Sequence, residues 1–324
     1  MSCDLLTPTT CHFGRLRGSI ASDDLYPCGA SHNGQSKDLE GVKYNSHMNT
    51  SDTLFGHLAL RFSFFLATFS ISMLLLLPAC ASQAETAAEH YIDGLVFIEE
   101  GHYRQAIEEF DQVIELYQND PAAFFKRGFS HSELGQHQLA IMDYDKAIEL
   151  DPKDAVAYSN RGTSYDELGL YQRAIHDHDK AIELDPKNAI SYSNRGFSYD
   201  VLGQHQRAIQ DYDKAIDLDP NLAAAYHHRA LSYSGLSQYQ RAIRDYDKAI
   251  ELDPKDVLNY VLRGIAYSML DQHERALEDF NDAIRLDPQS GIAYQTRGLA
   301  NQTLGKYDAA DRDFKKAEEL GYAP

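Results

Sequence analysis

Residues 155–188 read AVAYSNRGTSYDELGLYQRAIHDHDKAIELDPKN, and the same pattern returns every 34 residues from Ala87 to Tyr322, seven times, without insertion or deletion. With Ala155 as position 1, position 4 is aromatic, position 8 small, position 11 usually aromatic, and positions 20 and 27 almost always Ala. Position 24 carries a ring, and position 32 is often Pro. In this copy they are Tyr158, Gly162, Tyr165, Ala174, Ala181, His178 and Pro186. A unit of this size cannot bury its apolar face alone, so copies in fixed register must stack on one another. Such a stack presents an extended wall for binding rather than a pocket for chemistry.

The punctuation within each copy predicts two helices. Gly101, Gly135, Gly169, Gly203 and Gly305, at position 15, supply the left-handed residue that ends a first helix. Pro152, Pro186, Pro220, Pro254 and Pro288 follow a second helix and forbid its continuation. Asp154, Asn188, Asp256 and Ser290 then stand where an N-cap belongs, and Asp120-Pro121 is a cap with Pro at the first helical position. The spacing places the helices at about positions 2–14 and 18–30. Small residues at position 8 let the two approach closely: Gly94, Gly128, Gly162, Gly196, Ala230, Gly264 and Gly298.

This pattern resembles the tetratricopeptide repeat, over about three-quarters of the chain. The resemblance implies an all-α, right-handed superhelical solenoid of seven helix-turn-helix units, about fourteen helices. The repeats start near residues 87, 121, 155, 189, 223, 257 and 291. One departure is position 7, commonly Leu in that family. Here it is Arg in six copies: Arg127, Arg161, Arg195, Arg229, Arg263 and Arg297. Those copies also carry Asp at position 23: Asp143, Asp177, Asp211, Asp245, Asp279 and Asp313. The first copy lacks both, with Asp93 and Glu109. Joint presence and joint absence predict structural ion pairs, within a repeat or to the next one.

In the family the first helix lines the concave face, through positions 2, 5, 6, 9, 12 and 13; the 2-5-9-12 spacing also makes one helical stripe. The groove candidates at positions 5, 6 and 9 are Phe125, Lys126, Phe129, Asn160, Asn194, Phe197, His228, Leu231, Leu262, Ile265 and Thr296. Asn160 and Asn194 sit in the identical string Tyr-Ser-Asn-Arg-Gly, and a carboxamide both donates to and accepts from a peptide backbone. Copies 2–4 add acids at positions 12 and 13, Glu133, Asp166, Glu167 and Asp200, whereas the later copies are neutral there. The implied ligand is an extended peptide or amphipathic helix with a basic end and an apolar end. The Tyr-Ser-Asn-Arg string also resembles chaperone-tail binders that clamp a carboxylate with Lys and Arg. Their clamp places hold Phe125, Phe129, Ile190 and Asn194 here, and next to them Ser159, Thr163, Ala224 and His228.

Ahead of the repeats, residues 62–77 (FSFFLATFSISMLLLL) form the one long apolar run, after Arg61 and before Pro78-Ala79-Cys80-Ala81. A charged start, a short apolar core and small residues at the end describe an export signal. The Leu77-Pro78-Ala79-Cys80 ending resembles a bacterial lipoprotein box, with Cys80 as the lipidated residue. Ala79-Cys80-Ala81 also suits cleavage to a soluble form, and the run is near the ~18-residue lower limit for a spanning anchor. Met48 is a reasonable start for such a signal. The chain then divides into a disordered or mis-assigned extension at 1–47, a leader at 48–79, a short linker at 80–86 and the solenoid at 87–324.

The formal net charge is −19, which disfavours nucleic acid and anionic surfaces as partners. There is no phosphate loop, no HExxH, no CxxC and no serine elbow, so no enzyme, metal or cofactor is expected. The expectation is a non-enzymatic adaptor that binds protein segments, tethered at the cell envelope by a lipid on Cys80 or by the apolar segment. The alternative is a cytosolic or organellar membrane-anchored assembly factor or co-chaperone.

Overall fold

The computed structural model describes residues 76–322. The readings of 1–47 as an extension and of the leader before residue 76 lie outside the described residues. Among these there are fourteen α-helices and no strand. In pairs they are α1 Leu76–Glu99 and α2 Tyr103–Leu116, α3 Pro121–Glu133 and α4 His137–Leu150, α5 Ala155–Glu167 and α6 Tyr171–Leu184, and α7 Ala189–Val201 and α8 His205–Leu218. Then follow α9 Ala223–Gly235 and α10 Tyr239–Leu252, α11 Val257–Ser268 and α12 His273–Leu286, and α13 Gly291–Thr303 and α14 Tyr307–Glu319. α1 runs back to Leu76, through residues 80–86 that the sequence suggests as a linker, and includes Cys80. Among the described residues no helix is long and apolar enough to cross a membrane.

After α1, each first helix begins at position 1, one residue earlier than its periodicity suggests, and in four of these six a side chain caps the start. Asp154 Oδ1 accepts from the Val156 and Ala157 amides at 2.9 and 3.0 Å, which satisfies two of the free N–H groups of α5. Asp120 and Asn188 do the same for α3 and α7. The fifth copy has Leu222 at this place, and α9 starts without a side-chain cap; Ser290 stands at the start of α13, but its hydroxyl makes none of the capping bonds expected of it. The helical hairpins close through a left-handed residue. It is glycine in five copies, but Ser237 and Asp271 hold φ of 58° in the other two.

The ring at position 24 is the centre of each unit. Phe110, Tyr144, His178, Tyr212, Tyr246 and Phe280 are all at most 1 % exposed. Above each ring passes the small residue of the partner helix: a Cβ on Gly196 would lie 2.8 Å from Tyr212 Cε1. Ala at positions 20 and 27 completes the close contact between helices, and these alanines are almost wholly buried. Every second helix packs against the first helix of the next copy, and successive first helices touch one another. That puts the first helices on the inside of the curve.

The inner wall of the stack

In all six later copies the arginine at position 7 makes a two-pronged contact with the aspartate at position 23. Arg161 donates from Nε and Nη2 to Asp177 at 2.7 and 2.8 Å, Arg195 to Asp211 at 2.8 and 2.6 Å, and Arg229 to Asp245 at 2.7 and 2.7 Å. Arg127–Asp143, Arg263–Asp279 and Arg297–Asp313 share the arrangement. The planar fork matches a carboxylate edge to edge.

A second contact was not legible in that pairing. Each arginine also sends Nη1 back across the joint to position 25 of the preceding copy: Asp111, Asp145, Asp179, Asp213, Asp247 and Asn281, at 2.6–2.7 Å. The guanidinium further lies over the ring at position 4 of its own helix, 5.4 Å away for Arg161 over Tyr158. Hydrogen bonding to Asp211, net of burial, holds the Arg195 guanidinium above its ordinary value. Burial pushes the Asp211 carboxyl up, against the pull of Arg195. The recurrence of Asp at position 25 was the available signal for this staple.

On the wall itself, the sequence candidates separate into open and closed groups. Asp166 is buried: Ser198 Oγ donates to its Oδ1 at 2.7 Å and His178 Nε2 lies 3.2 Å from Oδ2. Burial pushes its carboxyl up, opposed by His178 and Ser198. Ser232 repeats the contact on Asp200 at 2.7 Å, and His205 Nδ1 is 2.6 Å from the same oxygen. These two acids therefore tie adjacent copies together. Glu133 and Glu167 remain exposed. Thr296 is buried, with its hydroxyl donating to the carbonyls of Ile292 and Ala293.

The half-buried group lies along the wall: Phe125, Lys126, Phe129, Asn160, Asn194, Phe197, His228, Leu231, Leu262 and Ile265. The Lys126 ammonium sits 5.7 Å from the Phe125 ring centre, and burial pushes its pKa down. Asn194 Nδ2 donates to Thr163 Oγ1 at 3.3 Å. His228 stacks on Tyr212 at 5.9 Å and meets Phe197 edge-on at 6.0 Å. Burial, with His227 beside it, pushes His228 down to about 3. Val156 and Ile190, at position 2, add exposed apolar surface, 50 % and 56 % open. Among the described residues no group of three or more His, Cys, Asp or Glu could hold a metal.

Models described as tetratricopeptide repeat match residues 155–188, 189–222, 223–256, 245–278 and 292–320, and one described as TPR repeat matches 131–169. Together they span more than half of the chain. A solved tetratricopeptide repeat protein from Parabacteroides merdae is similar over 74 % of this chain and 94 % of its own, with 24 % identity and a TM-score of 0.59. PilF of Pseudomonas aeruginosa is similar over 69 % of this chain and 99 % of its own, with 18 % identity and a TM-score of 0.58. A chain of the APC/C hetero-tetramer Cut9–Hcn1 is similar over 70 % of this chain and 45 % of its own, with 17 % identity and a TM-score of 0.61. At these identities the likeness is one of fold. No curated protein matches the chain.

Proposed function

The chain belongs to the tetratricopeptide repeat proteins, and from that premise we propose that it is a non-enzymatic scaffold that holds protein segments along its inner wall. The observation that carries this reading is the row of Phe129, Phe197, Leu231 and Ile265, all part-exposed and all at position 9 of stacked first helices, with Thr163 at that place in the third copy. Apolar side chains at one-repeat intervals from Phe197 to Ile265, with the carboxamides of Asn160 and Asn194 at position 6 beside them, suit an extended peptide or an amphipathic helix. Exposed Glu133 and Glu167 at one end favour a basic terminus of that ligand, and Leu262 and Ile265 favour an apolar one. The structural arginines are committed to their joints and take no part in the wall.

The same proposal places the protein at the cell envelope, outer-membrane or periplasm facing, tethered through a lipid on Cys80. The support is the Leu-Pro-Ala-Cys ending after the apolar run. A membrane-anchored assembly factor in the cytosol or an organelle is the second reading.

Crosslinking in the native membrane, followed by mass spectrometry, tests both. The expected result is one set of partners recovered with the intact wall and lost from Phe197→Ser with Leu231→Ser. Undiminished recovery by that variant removes the wall from the proposal. A mature N-terminus at Ser82, rather than at a lipidated Cys80, removes the tether.

A further inference from the structure

The joint between the sixth and seventh copies differs from the others at the positions that close them. In copies 3–6 the arginine at position 19 lies over the tyrosine at position 11, as Arg173 over Tyr165 at 5.7 Å and Arg275 over Tyr267 at 4.6 Å. These pairs cover the flank of the Arg–Asp staple. The seventh copy has Asn301 and Ala309 in their place. A cavity of about 210 Å³ opens there, with Leu277 as its apolar wall.

The charge of the joint changes with its shape. The corresponding residues one copy earlier are Arg263, Arg275, Asp247, Glu278 and Asp279, three carboxylates against two guanidiniums. In the last joint Arg297 and Arg312 face a single carboxylate, Asp313. Position 25 is Asn281, whose Oδ1 accepts from Arg297 Nη1 at 2.7 Å and whose amide hydrogens remain for another acceptor. Arg297 is anchored by Asp313 at 3.0 and 2.6 Å, so its position is fixed. Asn301 Nδ2 donates to the same carboxylate at 3.0 Å. Among the described residues no carboxylate lies within ion-pair distance of Arg312. Two guanidinium-bearing residues lining an open, part-apolar cavity are suited to a planar oxyanion.

The geometry points to a binding site for one carboxylate group between the sixth and seventh copies, held by Arg297, Arg312 and the Asn281 amide. A monoanion balances the excess positive charge. A doubly charged phosphate would instead face Asp313. The site lies apart from the inner-wall strip, so it stands or falls independently of the scaffold proposal.

Titration of the full chain with acetate, followed by the backbone amide signals of residues 309–313, tests the site, with sodium chloride as the control at matched ionic strength. Saturable shifts with acetate and not with chloride are expected. Asn281→Asp restores the acid of the earlier joints and should weaken acetate at least about tenfold, a 1.4 kcal/mol change. Asn301→Tyr with Ala309→Arg rebuilds the covering pair and should abolish the shifts. Both variants copy the interior joints and should melt no lower than the parent. A short peptide with one free carboxylate that binds more tightly than acetate identifies a polypeptide source, and equal binding identifies a small free acid. Unsaturable shifts, unchanged binding in both variants, or tighter binding of phosphate than of acetate overturns the site.

Discussion

Arg195 bonds Asp179 of the preceding copy at 2.6 Å while its other two nitrogens hold Asp211 of its own copy. One side chain thereby fixes both the hairpin and the joint. The two carboxylates differ in burial: the Asp179 side chain is 51 % exposed and that of Asp211 is 9 % exposed. Removing the arginine strands a buried charge, which costs about 3–5 kcal/mol. Removing Asp179 loses an exposed pair worth about 0–1 kcal/mol. Urea melts of Arg195→Leu, Asp211→Asn and Asp179→Asn should rank in those terms, with Asp179→Asn mildest. Equal losses for all three contradict the assignment.

Acid should loosen the fifth copy. His227 Nδ1 lies 2.7 Å from Asn259 Oδ1, and the His227 and His228 rings are 5.1 Å apart. Burial lowers both, opposed at His227 by Asn259 and Asp256. An unfolded histidine titrates near ~6.5, so between that value and about 3 the unfolded chain binds protons that the folded chain refuses. Stability then falls as pH drops through this window. His228 alone accounts for up to about 2 kcal/mol at pH 5. His228→Phe should reduce the difference between urea midpoints at pH 7 and pH 5. An unchanged difference refutes the account.

Ser237 and Asp271 occupy the left-handed place that glycine fills in the other hairpins, with φ of 58° each. A side chain there costs roughly 1–2 kcal/mol, part of which glycine gives back through its freer unfolded state. Ser237→Gly and Asp271→Gly should each raise stability by about 0.5–1 kcal/mol. A lowered melting temperature would speak against strain at these hairpins.

Position 8 is the reverse case. A methyl on Gly196 would meet the Tyr212 ring at 2.8 Å, and that ring is fully buried. Gly196→Ala should cost about 1–3 kcal/mol through overpacking. Ala230 is native in the fifth copy, so Ala230→Gly tests whether that copy has adjusted. Its expected cost is about 1 kcal/mol, the ordinary helix penalty. If Gly196→Ala is neutral, the close approach of the hairpin does not depend on glycine.

Much of the fold was legible because it is written seven times. Period, aromatic placement and Pro–Asp punctuation are local signals, and repetition separates them from chance. That Arg at position 7 pairs with Asp at position 23 was legible for the same reason, but that the pair closes within a copy was not. The backward staple to position 25 was harder to read, since the aspartates there look like any exposed helix charge. The wall candidates were legible as a stripe but not as a surface. Asp166, Asp200 and Thr296 have the spacing of groove residues, yet neighbours in the next copy or in the same helix take up their polar atoms. Nothing in the sequence marked Ser198 and Ser232 as those neighbours.

The chain's own spelling determined that it forms paired helices, roughly where those after the first begin, and that copies must cover one another, because each of these follows from signals repeated within every 34-residue period. The third dimension alone decided which polar groups are used up at the joints and which stay open. That outcome depends on how far one copy rotates against the next, and the rotation is set by packing between residues more than thirty positions apart.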